Sequence, residues 1–85
     1  MSKYLVYIKE RGGPEDVLLF EDIQGHDDIF NLLRKTHKTV IVVSAGFWHI
    51  DHNGKFVCSG RSVSLNTESR YEDSMLLNIR FLGHI

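Results

Sequence analysis

Apolar runs and polar turns alternate along the first third of the chain in a way that predicts a β-hairpin. Residues 4–8 are an unbroken run of aromatic, leucine and β-branched side chains, which is typical of a strand covered on both faces. Glycine and proline in residues 11–16 predict a loose turn, and a second apolar run follows at 17–20. Residues 4–21 are therefore predicted to form a hairpin.

A helix is predicted over residues 27–37. Asp27 or Asp28 stands where it could cap the N-terminus, and the basic residues of 34–38 suit the C-terminal end, where the helix dipole favours positive charge. Spacings of three and four put a set of apolar side chains on one face, and we expect this face to contact the core: Ile29, Leu32 and Leu33.

Residues 39–65 are strand-like on both sides of an Asn-Gly turn, which predicts a long second hairpin. Two registers are open at this point. A two-residue turn would pair His52 with Lys55. A three-residue loop, with Gly54 in the left-handed conformation, would pair Asp51 with Lys55.

We favour the three-residue loop because it places Gly46 opposite Gly60. Two glycines that meet across a ladder would allow the hairpin to bend sharply. In this register His49 and Cys58 point to opposite faces, whereas the other register would pair them directly. The favoured register therefore argues against a metal site or a thiolate pair built on these two side chains.

The last predicted element is a helix that ends near Gly83, a residue suited to a C-terminal cap. The sequence 69–72 matches a capping box, and Thr67 is a rival N-cap. The apolar positions with helical spacing are Tyr71, Met75, Leu76, Ile79 and Leu82.

These elements predict one α+β domain over residues 1–85, in the order β-β-α-β-β-α. A small antiparallel sheet with a long bent second hairpin would be packed by two helices. Because each helix has one apolar face, we expect both to pack on the same face of the sheet. The opposite face would then need cover from the bent hairpin or from a second chain, which makes a homodimer possible.

Composition narrows the classes of function. A net charge of -1 argues against a dedicated duplex DNA binder, so a nucleic-acid partner is not expected. One cysteine excludes an intramolecular disulfide framework and fits a reducing compartment. No apolar run approaches the ~20 residues that span a bilayer, and the N-terminus lacks the apolar region of a signal peptide. We therefore expect a cytoplasmic protein without cofactor, metal or membrane contact.

The most distinctive polar segment runs from residue 59 to residue 70 into the start of the last helix. Hydroxyl and guanidinium groups beside a helix N-terminus can bind an anion. The opposing interpretation is a strand with one solvated face, since apolar residues alternate with polar ones over 62–66. The candidate anion-binding residues are Arg61, Ser62, Ser64, Thr67, Ser69 and Arg70.

No nucleophile elbow, phosphate loop or paired-carboxylate signature occurs in the chain. Our first hypothesis is therefore a non-enzymatic interaction or regulatory module that binds a protein partner through its sheet face or edge, with Phe47 and Trp48 as candidate contacts. Its size would also suit a phage or another mobile element. The alternatives are a ribonuclease-like protein using His49 and Arg61 as catalytic residues, and an anion-binding module over residues 61–70.

Overall fold

The computed structural model describes residues 2–21 and 23–84 and confirms the predicted α+β fold. Four antiparallel strands form the main sheet in the order β2-β1-β3-β4, and a two-stranded sheet pairs β5 with β6. The elements are β1 Ser2–Ile8, β2 Glu15–Phe20, α1 His26–Thr36, β3 Ile41–Ile50, β4 Phe56–Ser59, β5 Arg61–Ser62, β6 Thr67–Glu68 and α2 Asp73–Leu77, which continues as a π-helix over Asn78–Leu82.

Strand β1 lies at the centre of the molecule, and its apolar run is buried on both sides. Tyr4 and Val6 face a core that includes Leu77 of α2. Leu5 faces a second core that includes Ile29 of α1. The expectation that both helices share one face is therefore wrong. A strand that is apolar on both sides needs cover on both sides, and one helix supplies each.

Helix α1 begins one residue before the predicted start and ends one residue before the predicted end. Gly25 is its N-cap, in place of the predicted aspartates. Asp28 instead accepts a hydrogen bond from the backbone N–H of Gly25 at 3.1 Å. Phe30 packs on the core, whereas Leu32 is 53% exposed, so the buried face is rotated from the predicted one.

The hairpin of β3 and β4 has the favoured register, with Trp48 opposite Cys58. The backbone N–H of Asp51 donates to the carbonyl of Lys55 at 2.9 Å, and Gly54 has a φ of 78°, which confirms the three-residue loop. A local aspartate supports this turn as well, because the Asp51 carboxylate accepts the backbone N–H of Lys55 at 3.0 Å.

Strand β4 ends at Ser59, much earlier than the predicted strand end at residue 65. Gly60 has a φ of 78° and redirects the chain into the small hairpin of β5 and β6. The predicted alternation of buried and solvated positions is wrong here, because Ser62 is 1% exposed and Val63 is 84% exposed. The left-handed conformation of Gly60 confirms the predicted bend, and strand β4 ends because the chain turns there.

The predicted capping box at residues 69–72 is also wrong. The Ser69 hydroxyl donates to the carbonyl of Gly60 at 2.9 Å, and α2 begins at Asp73. Asp73 accepts the backbone N–H of Arg70 at 2.8 Å, which reproduces one half of a capping box one position further along the chain. Gly83 is the left-handed C-cap of the π-helix, as predicted.

Candidate functional site

A polar network that is buried at one end and partly exposed at the other ties the start of α2 to the sheet. The Tyr4 hydroxyl donates to Asp73 at 2.5 Å, and both residues are fully buried. Arg70 donates from its Nε to Asp73 at 2.8 Å. The same guanidinium makes a bidentate pair with Glu15 at 3.0 and 2.8 Å. The network therefore joins β1, β2 and α2 through side chains far apart in sequence.

The charges of Glu15 and Arg70 are paired with each other within the chain. Hydrogen bonds from Arg70 lower the pKa of Glu15, and those to Glu15 raise the pKa of Arg70. Burial raises the pKa of Tyr4, and its hydrogen bond to Asp73 raises it further. Arg70, a candidate anion ligand, is thus already occupied by two carboxylates.

The hydroxyl groups of the candidate anion site have partners within the chain itself. Ser62 accepts the N–H of Leu65 at 3.2 Å and lies 3.4 Å from the Ser64 hydroxyl. Thr67 donates to the carbonyl of Leu65 at 2.9 Å. These contacts stabilise the four-residue turn between β5 and β6, which is the structural role that explains the polar composition of the segment.

The two residues of the ribonuclease hypothesis lie in different sheets. His49 is exposed on β3 opposite Val57, whereas Arg61 belongs to β5 and donates to Asn66 at 2.6 Å. The chain leaves the main sheet at Gly60, so the shared face that the hairpin register suggests ends before Arg61.

Phe47 and Trp48, the candidate interaction residues, are half-buried on opposite faces of the sheet. The Phe47 ring lies 5.9 Å from the His26 ring. Trp48 lies 5.2 Å from the Phe56 ring and donates from its indole N–H to the carbonyl of Lys3 at 3.0 Å. Both rings thus form the margins of the two cores.

Helix α2 and the π-helix that follows it form the C-terminal helical segment, and side chains of this segment cover the edge of β4. Asn78 accepts the backbone N–H of Phe56 at 2.7 Å and donates to its carbonyl at 3.2 Å, as a neighbouring strand would. Ser74 accepts the backbone N–H of Cys58 at 2.9 Å. This edge is therefore not open to strand addition by a partner.

A groove of about 490 Å³ lies between β4 and α2. Its walls are Cys58 and residues 69–71, 74, 75 and 78. Burial raises the pKa of the Cys58 thiol to about 11, so the thiol is protonated at neutral pH and is a poor nucleophile. The groove therefore has the chemistry of a binding surface: hydroxyl, amide and thioether groups beside an aromatic ring.

An apolar stripe runs along the outer side of the C-terminal helical segment, next to the groove. Tyr71 is 98% exposed, Met75 43%, Ile79 50% and Leu82 38%. The sequence shows the helical spacing of these positions, but that spacing does not tell which face is buried. Leu76 and Leu77 pack on the sheet instead. This stripe is the feature that sequence reasoning missed.

Three further results concern metal binding, membrane-spanning helices and similarity to known proteins. Within residues 2–21 and 23–84, no group of three or more His, Cys, Asp or Glu side chains could hold a metal ion. In the same part of the chain, no helix is long and apolar enough to cross a membrane. Comparison with protein-family models, with curated proteins and with solved structures finds no match to this chain.

Proposed function

We propose that this protein is a small cytoplasmic interaction module that docks through the apolar stripe of Tyr71, Met75, Ile79 and Leu82, and that its partner is a second copy of the chain. The observation that carries the proposal is the exposure of Tyr71, a large aromatic side chain that is 98% accessible beside a groove. Large exposed apolar patches on small proteins mark contact surfaces.

The stripe and the groove together make a self-complementary surface. Tyr71 projects at the rim of a groove whose other walls include Ser74, Met75 and Asn78. A two-fold interface brings the same patch of both copies together, so the ring of each copy would enter the groove of the other. A buried tyrosine needs a partner for its hydroxyl, and the polar groups of the groove supply one.

The available area suits a small interface of a weak dimer. A large side chain that is fully exposed presents roughly 150–250 Å². With the exposed fractions above, and with the 44% exposed Phe81 at the margin, each copy offers about 500 Å². Two copies would bury on the order of 1,000 Å², which is near the lower limit for a specific interface.

The stripe is favoured over the sheet faces and the β4 edge as the docking surface. Each sheet face carries a helix, and Ser74 and Asn78 occupy the β4 edge. We retain the hypothesis from the sequence that the protein binds a protein partner. We now propose that the contact surface is the apolar stripe along α2 and the π-helix and not the sheet.

Sedimentation equilibrium between about 1 μM and about 1 mM protein tests the proposal, since this range spans weak to moderate dimers. We expect a monomer–dimer equilibrium for the native chain and a monomer for the double variant Tyr71→Ser, Met75→Ser. Val63→Ser is the matched control, because Val63 is 84% exposed at a separate turn. A native chain that stays monomeric throughout, or an equal loss of dimer in the control, would overturn the proposal.

A further inference from the structure

Basic and acidic residues are nearly equal in number in the chain, but the fold places them at different ends of the sheet. Five exposed basic side chains come from three segments at one end of the sheet: the loop after β1, the last turns of α1 and the turn into β3. We call this surface the basic end; its residues are Lys9, Arg11, Arg34, Lys35 and Lys38. They are half of the ten Lys and Arg residues in the chain.

Backbone contacts hold these segments together. Pairing of Ile8 with Ile41 places Lys9 beside the chain that enters β3. The Thr39 hydroxyl donates to the carbonyl of Lys9 at 2.6 Å, which fixes the turn after α1 against the loop after β1. Val40, between them, is buried in the core under α1. The basic end is therefore one surface and not three independent loops.

Few acidic groups offset this charge. Asp16 lies 3.2 Å from the guanidinium of Arg80 and 4.0 Å from the amine of Lys9, so it is shared between two cations. Glu10 is exposed in this region, and Glu15, opposite Ile8, is paired with Arg70. The acids Glu21, Asp27 and Asp28 lie at the opposite end of the sheet, where β2 ends and α1 begins.

We propose that the basic end binds the phosphate backbone of duplex nucleic acid. The net charge of -1 argues against binding driven by total charge, but binding at one surface depends on the local field there. The exposed aromatic side chains of the described residues are Tyr71, in the turn before α2, and Phe81, in the π-helix, both away from the basic end. Among the described residues, the basic end thus has no exposed Phe, Tyr or Trp ring that could stack on single-stranded bases or anchor a protein interface.

The glycine turn next to Arg11 favours close approach of a phosphate backbone. Gly12 has a φ of 80°, and the position of a Cβ atom there would be surrounded by open space. This site is separate from the apolar stripe, since none of its five cations belongs to α2 or the π-helix. The inference stands or falls independently of the proposed dimer.

Fluorescence anisotropy with a fluorescein-labelled duplex DNA of about 20 base pairs tests the inference. Neutralisation of about four phosphates predicts that affinity falls roughly 100-fold between 50 and 200 mM salt, through release of counterions. Absence of binding at 50 mM salt would overturn the inference. Binding to poly-glutamate without binding to the duplex would also overturn it and would identify an acidic protein as the partner.

A matched pair of variants separates local from total charge. Lys35→Gln with Lys38→Gln removes two charges from the basic end, and Lys55→Gln with Arg61→Gln removes two elsewhere. We expect the first pair to lower affinity at least about tenfold at 50 mM salt and to reduce the salt slope by about two. The second pair should change affinity less than about twofold. An equal loss in both would show that total charge, and not this surface, governs binding.

Discussion

The two faces of the sheet are covered in different ways. On one face, α1 is an amphipathic helix of 11 residues that packs through apolar side chains. On the other, α2 has five residues and is held by the polar network of Tyr4, Asp73, Arg70 and Glu15. A helix of one or two turns forms few of its own hydrogen bonds, so tertiary contacts must fix its position.

The amount of apolar burial does not distinguish the faces. Among the described residues, each core contains five buried hydrophobic side chains. The two faces differ in their polar contacts. The apolar positions recur at regular spacings in the sequence, whereas the residues of the polar contacts do not. Substitutions that separate polar from apolar contributions should therefore affect the two faces unequally.

The largest effect is expected for Asp73→Ala. The substitution leaves the buried Tyr4 hydroxyl without its acceptor and removes one of the two carboxylate partners of Arg70. Loss of one partner of a buried ionic pair costs up to about 3–5 kcal/mol. A chain of 85 residues has a free energy of unfolding of roughly 4–13 kcal/mol. Chemical denaturation should show a loss of much of that stability.

The neighbouring acid supplies the control for this variant. Glu72 is exposed, and Glu72→Ala should change the free energy of unfolding by less than about 0.5 kcal/mol. Asp73→Asn keeps the shape of the side chain and one acceptor, so an intermediate loss is expected. If the alanine variant at residue 73 were as stable as that at residue 72, the network would not anchor α2.

A smaller effect is expected for Gly46→Ala, which adds a Cβ atom on the α2 side of the sheet. That atom would lie 2.5 Å from the backbone carbonyl oxygen of Ser59, so the hairpin would have to shift. We expect a loss of about 1–3 kcal/mol in the free energy of unfolding.

Gly25→Ala is the matched comparison on the α1 side. Its added Cβ atom would also lie 2.5 Å from an oxygen, but that oxygen belongs to the flexible carboxylate of Asp27. The carboxylate can rotate away, and the loss should stay below about 1 kcal/mol, mainly from a poorer N-cap. Equal losses at Gly25 and Gly46 would contradict the close backbone approach that we assign to the bend.

These differences explain which parts of the fold the sequence predicts. The register of the second hairpin is set by local residues, Gly54 in the turn and Gly60 at the bend, so it is predicted correctly. The pair of Arg70 with Glu15 spans 55 positions and follows no period. Without that anchor, the spacing of Tyr71 and Met75 does not reveal that they face outward.

For the same reason, the partners of the side chains in the candidate anion site could not be predicted from the sequence. The hydroxyl groups of residues 62–69 suggest a ligand site when their partners are unknown, and the structure gives them partners within residues 60–65. Charge separation between the two ends of the sheet is equally invisible in the sequence. It depends on the antiparallel arrangement that brings Lys9 beside the turn after α1.

The smallest effect is a difference between the two faces in their response to pH. On the α1 side, His26 is buried between the rings of Phe20 and Phe47, and burial lowers its pKa below the ordinary value near 6.5. On the α2 side, Arg70 lowers the pKa of Glu15 below its ordinary value of 4.5. The unfolded chain therefore takes up a proton at His26 first on acidification, and at Glu15 only at lower pH.

The free energy of unfolding should accordingly fall in two stages. As the pH drops below about 6.5, the unfolded chain binds more protons than the folded chain, which lowers stability through His26. His26→Gln should remove this first stage, whereas the exposed His52→Gln should leave it unchanged. Glu15→Gln should remove only a later stage below about 4.5. A free energy of unfolding that does not change between about pH 7 and pH 5 would contradict the burial of a neutral His26. Protonation of this histidine in the unfolded chain alone must stabilise the unfolded state and so lower the stability of the fold.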